Sequence, residues 1–367
     1  MSSSRLVAVV VLAVALFGGV FAGRLSAVSG APDPARAATV AESVGDGVVG
    51  YVVSREGTIL STGPEGEREV IADGIIFPVT TTTETGFEVL DSCNRPGRVE
   101  ADQVDVGYVP TERNGEMGQS VFVIDPGHGF PDLGAVGRSG LTEAEVNIEV
   151  ASRLVDLLQS SHDIDWATGA VTPGTSVPAS ATAIMTRYPA GPNGGDYELG
   201  LTFRAALGNA VDATALVSIH HNTEPTRELD HPGSSAFVSV SDPESPRLGG
   251  LIVEELLTAL SRFEADWVGG EGDGLSSRVG NDGDDYYSVL ARSEVTAVIV
   301  EGAYISNPSE EALIMTDAFR QAYAEAVYRA LVRFVTTDEY PIAAPEPELF
   351  DVEGPPRSMD DCVVPSR

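Results

Sequence analysis

The chain has 367 residues, 43% of them apolar, enough for one large or two to three smaller folded units and too many for wholesale disorder. It carries 55 acidic against 22 basic residues, every basic one an arginine, for a formal net charge of −33. A surface this negative is repelled by phosphate backbones and anionic headgroups, which argues against nucleic acid as a partner.

The first element is apolar. After "MSSSR", the run "LVAVVVLAVALFGGVFA" from Leu6 to Ala22 has no polar side chain, and a loose "GAPDPARAA" follows. This layout fits either a secretory signal peptide, with Val20 and Ala22 as small residues before a cut, or a retained N-terminal membrane anchor. Both readings export the remainder, to the exterior or the cell envelope. Residues 1–43 are therefore read as this segment plus an Ala-rich, Pro-punctuated linker. The two cysteines, Cys93 and Cys362, form in such a compartment either a disulfide tying the C-terminal tail to the N-terminal region or two unrelated thiols. Neither has the spacing of a metal ligand.

Residues 44–115 change texture. "GVVGYVVS", "GTILST", "EVIADG", "IIFPVTTTT", "TGFEVLDS" and "GRVEADQV" are short β-branched runs separated by Gly, Pro and Asp, which predicts a small all-β domain. Its arrangement resembles a bacterial SH3-like module, which implies either a holder of wall polymers or a spacer.

From Ser120 strand and helix alternate. "VFVID" is a strand; "EAEVNIEVASRLVDLLQ" is an amphipathic helix with Val146, Val150, Leu154, Leu157 and Leu158 on one face. "ATAIMTR", "TALVSIH", "SSAFVSV" and "VTAVIVEG" are further strands. "LTFRAALGNAV", "SPRLGGLIVEELLTAL" and "SEEALIMTDAFRQAYAEAVYRALVRFV" are helices. The fold class expected is α/β: a layered domain with a largely parallel central sheet flanked by helices, over residues 119–336, preceded by the small all-β domain. Residues 337–367 are acidic and Pro-rich and read as an extended tail.

Sites in open α/β sheets lie beyond the carboxyl ends of the strands. The polar groups there are Asp125 and His128 after the first strand, His220, His221 and Asn222 at the third, and Glu301 at the fifth. "IDPGHGF" sets His128 between two glycines, which clears space around an imidazole in a way a core histidine does not need. "LTEAEVN" is a capping box with Thr142 as N-cap and Glu145 reaching back, which leaves Glu143 at the first helical position and free for another task. Neighbours on a strand face opposite ways, so at most one of His220 and His221 faces the site. His162 and His231 read as solvated loop residues. So does "NDGDD" around Asp282, which lacks the ligand spacing of an EF-hand. Two histidines and a carboxylate make a catalytic zinc site with an open position, and a further carboxylate such as Glu301 is then wanted to move a proton. Glu224–Ser234 and "VGGEGDGLSS" are candidate rim loops.

"VFVIDPGHGFPDLGAVGRSGLTEAEVN", "MTRYP…LTFRAALGNAVDATALVSIHHN" and "VIVEGAYISNPSEEALI" resemble, in order and spacing, the three signature blocks of zinc-dependent N-acetylmuramoyl-L-alanine amidases, over roughly residues 120–336. The resemblance implies one Zn²⁺ ion held by His128, Glu143 and His220, with Glu301 as catalytic acid/base. It implies hydrolysis, by zinc-activated water, of the amide joining N-acetylmuramic acid to L-alanine of the peptidoglycan stem peptide. Asn222 and Asp125 would orient ligands. Three departures bear on substrate fit: Phe130 in place of a glycine, narrowing the approach to the metal; Tyr304 in place of phenylalanine; and His221 in place of a small residue. Competing readings are a zinc peptidase cutting within the stem peptide and a non-catalytic cell-wall-binding protein. The sequence carries no signal for oligomeric state.

Overall fold

A computed structural model describes residues 47–63, 66–111, 115–188, 199–270 and 273–350. The expectations for residues 1–43, for Cys362 and for the last part of the acidic tail lie outside the described residues. Cys93 is disulfide-bonded.

The N-terminal strands are β1 (Gly47–Ser54), β2 (Ile59–Thr62), β3 (Glu67–Val70), β4 (Ile76–Thr82), β5 (Gly86–Leu90), β6 (Pro96–Glu100) and β7 (Val104–Pro110). They form one antiparallel sheet in the order β3-β2-β6-β5-β4-β1-β7. Val52, Leu60, Ile71, Phe77, Phe87, Val89 and Val99 give it a core of its own. Ile76 of β4 and Val109 of β7 instead join the core of the second sheet, and the Thr182 hydroxyl donates to the Tyr108 carbonyl at 2.6 Å, so the two sheets meet along β4 and β7.

The remaining elements are β8 (Val121–Pro126), α1 (Glu143–Leu158), β9 (His162–Asp165), β10 (Ala170–Pro173), β11 (Thr182–Met185), α2 (Leu201–Ala210), β12 (Ala215–Asn222), β13 (Arg227–Glu228), β14 (Ser235–Val238) and α3 (Ser245–Leu260). They continue through β15 (Val268–Gly269), β16 (Gly274–Ser276), β17 (Arg278–Val279), α4 (Ser288–Ala291), β18 (Ala297–Tyr304), α5 (Pro308–Ile314), α6 (Asp317–Thr336) and β19 (Glu348–Leu349).

The central sheet runs β11-β8-β12-β18-β14-β16 and is mixed: β14 is antiparallel to β18, and every other neighbouring pair is parallel. The reversal has a simple cause. A parallel return needs a long crossover, usually a helix, and only the short β13 separates β12 from β14. The chain leaves and re-enters at the same edge of the sheet.

Its inner strands are apolar on both faces because both faces are covered. Phe122, Ile124, Val217, Ile219, Val298 and Val300 face the layer of α1, α3 and α6; Val121, Val123, Leu216, Ala297 and Ile299 face Phe203, Leu207, Val289 and Leu290 of α2 and α4. The long closing helix expected from sequence is two. α5 is capped by Asn307 with Pro308 at its first turn, and Thr316 starts α6 afresh by accepting from the Phe319 amide.

Three further expectations are corrected. His162 is buried on β9, its Nδ1 3.0 Å from the Ser160 carbonyl and its ring edge-on to Tyr328. The "NDGDD" loop is anchored at its last residue, where buried Asp285 accepts from the Ser239 hydroxyl and the Val240 amide. The tail is docked as far as residue 350: β19 pairs with β17, and the Arg278 guanidinium lies between the rings of Phe237 and Phe350.

Candidate metal centre

Three β-strand ends and one helix start meet at a single cavity of about 400 Å³, lined by His128, Asp132, Glu143, His220, His221, Asn222 and Glu301 among others. His128, Glu143 and His220 each bring a donor atom to within 4.8 Å of the others.

His128 follows β8 on left-handed backbone, φ 63°, where a non-glycine residue is uncommon. Its Nδ1 lies 2.7 Å from Asp132 Oδ2, which leaves Nε2 for the cavity, 3.1 Å from Glu143 Oε2. Glu143 opens α1, and the capping box of Thr142 and Glu145 is formed, so its carboxylate is not spent on the cap. That carboxylate accepts from the Ala135 amide at Oε2 and from the His221 amide at Oε1. His220 Nδ1 sits 3.0 Å from Glu143 Oε1. His220 and Glu301 are direct partners across the parallel β12–β18 pair, so backbone register alone sets Glu301 beside the trio.

These residues fit a zinc ion. The donor set is two imidazoles and a carboxylate, the ligand types of a catalytic zinc site, and donors within 4.8 Å of one another need only a small inward shift to meet bonds of roughly 2.0–2.2 Å. The space is kept clear by absence of side chains. A Cβ on Gly127 would lie 2.1 Å from His220 Cε1, and one on Gly134 2.6 Å from both Glu143 Oε2 and His128 Cδ2.

Charge is sorted by environment. Burial works against a charged His128, but the hydrogen bonds to Asp132 and Glu143 outweigh it and push its pKa up to about 10. Burial alone would raise Glu143, yet the two histidines hold it well below the usual carboxylate range. Glu301 is the opposite case. Burial, with the Glu143 charge added, pushes it up to about 7 against the pull of His220, and its Oε2 is enclosed without a hydrogen-bond partner.

Asp125 and Asn222 do not touch the trio. Asn222 accepts from the Thr223 amide. Asp125 is buried and accepts from Thr186, Ser218 and Arg204, each at 2.6 Å. Its effect passes through Arg204, which donates on to the carbonyls of Pro126 and His128 at 3.0 and 2.8 Å. Arg187, also buried, donates to the carbonyls of Pro126, Gly127 and Ala144. Two arginines thus hold the turn that carries His128.

Neither arginine, nor Asp132, nor Asn147 is singled out by sequence reading. A buried acid in the apolar "VFVID" does call for a cation, and that was the available signal. Phe130, expected to narrow the approach, is 62% exposed and is not among the residues lining the cavity. Tyr304 donates to Asp273 at 3.1 Å. The two rim loops are paired, β13 with β15, and Arg227 bridges to Asp273.

Residues 122–333 match the family model described as N-acetylmuramoyl-L-alanine amidase. The chain is 27% identical over 226 residues to the germination-specific N-acetylmuramoyl-L-alanine amidase of Bacillus subtilis, covering 59% of this chain and 80% of that protein. It is 26% identical over 245 residues to the amidase AmiA of Escherichia coli, covering 59% and 76%. Among solved structures, the N-acetylmuramoyl-L-alanine amidase of Clostridium difficile 630 aligns over 60% of this chain and 98% of its own, with 21% identity and a TM-score of 0.45.

Proposed function

The chain belongs to the N-acetylmuramoyl-L-alanine amidase family, and from that premise we propose how its own residues carry the reaction. It is a peptidoglycan hydrolase that cleaves the amide between N-acetylmuramic acid and L-alanine of the stem peptide. Its substrate puts its work at the cell wall, and among the described residues no helix is long and apolar enough to cross a membrane. Export through residues 1–43, by cleavage or as an anchor, belongs to the proposal.

In this reading His128, Glu143 and His220 hold one Zn²⁺. When bound, the ion would acidify a water and polarise the scissile carbonyl. Glu301 moves the proton. With a pKa near 7 it accepts one from the attacking water and returns it to the departing L-alanine amine, the same group acting as base and then as acid. Asp132 keeps Nε2 of His128 turned to the cavity. The observation that carries the reading is the convergence of three donor atoms within 4.8 Å beside an enclosed, unpartnered carboxylate oxygen. The antiparallel sheet of residues 47–110, with its own small core, supports an SH3-like module over 44–115 as a wall-contacting or spacing unit.

The test is digestion of muropeptides, with products identified by mass spectrometry before and after chelation and zinc re-addition. Release of a peptide beginning with free L-alanine, lost on chelation and restored by zinc, is expected. Cuts within the stem peptide, or undiminished release after chelation, would overturn the proposal.

A further inference from the structure

His221 carries a side chain that the reaction as described does not use. It is 2% exposed and lies on β12 next to His220 but turned to the opposite face. Its Nδ1 is 2.9 Å from Asn147 Oδ1, and its Nε2 is enclosed with no partner. Tyr323 packs edge-on against the ring at 5.5 Å and anchors itself through its hydroxyl to the carbonyls of His220 and Val300.

The direction of the hydrogen bonds follows from what surrounds Asn147. Its Nδ2 faces two acceptors, the Gly127 carbonyl at 3.2 Å and Glu143 Oε1 at 3.4 Å. The amide nitrogen must therefore point that way, which turns Oδ1 toward His221 and puts the imidazole proton on Nδ1. The His221 backbone amide meanwhile donates to Glu143 Oε1 at 3.1 Å.

We propose that His221 is a positioning residue for the metal ligands: its Nδ1–H fixes the Asn147 carboxamide, which holds the Glu143 carboxylate and the turn carrying His128. The inference rests on the zinc reading above and concerns side chains outside the ligand trio. A hydrogen-bond donor at this place orients the ligand carboxylate through Asn147 without contacting the ligand trio by its own side chain. One side chain reaches two of the three ligands, because Gly127 precedes His128 directly and Glu143 stands one helical turn before Asn147.

The experiment compares the wild type with His221→Leu, which keeps bulk but removes the donor, and His221→Asn, whose amide nitrogen falls near the Nδ1 position. Zinc affinity is measured by competition with a chromophoric chelator, and the apo-protein Tm is recorded alongside. Loss of an orienting partner typically costs about 10–100-fold in metal affinity. That loss is expected for His221→Leu, with most of it recovered in His221→Asn. If His221→Leu does not fold, His221→Gln carries the same comparison, since its amide reaches the Nε2 position and leaves Nδ1 without a donor. Zinc affinity unchanged in the donor-free variant, or equally weak in His221→Asn, would overturn the inference. A wild type that binds no zinc would instead bring down the reading beneath it.

Discussion

Replacing Glu301 by glutamine separates its proposed chemical role from its electrostatic cost. The side chain keeps its shape and loses its charge and its proton-transfer capacity. Loss of a positioned acid/base is expected to lower kcat by about 10²–10⁴-fold. Stability should move the other way. Enclosure, the largest cause, pushes the carboxyl up to about 7 in the folded protein from its ordinary 4.5. A raised pKa means the folded state holds the proton more tightly, so its stabilising contribution is complete below 4.5 and is lost as pH rises through 7. That gap corresponds to about 3 kcal/mol as an upper bound. Glutamine has no such dependence, and any cost of its own enclosed amide is the same at every pH. Urea unfolding of metal-free wild type and Glu301→Gln between pH 4 and 8 gives the difference, because contributions from groups remote from Glu301 are common to both and cancel. The variant should gain steadily on the wild type from pH 4.5 upward and level off above pH 7. A flat difference would refute the account of Glu301 as an acid whose enclosed carboxyl is held toward its neutral form. Activity within a fewfold of wild type would refute its role in proton transfer.

Two other substitutions probe the scaffold. Gly127→Ala sets a methyl 2.1 Å from His220 Cε1, so the imidazole must move; overpacking of this kind costs about 1–3 kcal/mol. Zinc affinity by chelator competition should fall by at least about tenfold, and wild-type affinity would show that His220 does not need the cleared space. Asp125→Asn leaves Arg204 charged and buried without its counter-ion, expected to cost about 3–5 kcal/mol in urea unfolding. A loss below about 1 kcal/mol would mean that the carbonyls of Pro126 and His128 suffice to hold that guanidinium.

The candidate site was legible to the extent that it depends on local pattern. Apolar runs such as "VFVID" and "TAVIV" announce strands buried on both faces, and the polar groups at their ends are then gathered by topology alone. The capping box is likewise local, and it is what separates Glu143 from Glu145. What sequence reading missed is non-local. Arg187 and Arg204 act on a turn 60 and 76 residues away along the chain, at the carbonyls of Gly127 and His128. The short strands β9, β10, β13, β15, β16, β17 and β19 run two to four residues each, too few to display a period. The direction of β14 is set by the lack of a crossover, which no side-chain pattern encodes. His162, in polar surroundings by sequence, is buried because β9 folds it against Tyr328 of α6.

The supports are distributed unevenly, and the unevenness has a physical reason. His220 and Glu301 are fixed by strand register, and Glu143 by a capped helix; both are stiff elements that need little help. His128 alone stands beyond its strand, on left-handed backbone of the kind that costs about 1–3 kcal/mol and persists only when its surroundings over-determine it. It is this residue that draws Asp132 to its ring, Arg204 to its carbonyl, and Arg187 and Asn147 to the carbonyl just before it. Polar capacity is concentrated where the backbone is least able to hold itself. In a chain with only 22 basic residues, two buried ones are committed to one turn of the main chain. Charged groups are almost never buried this deeply unless paired. Placing that turn is therefore the requirement on which the site spends most of its buried polar contacts.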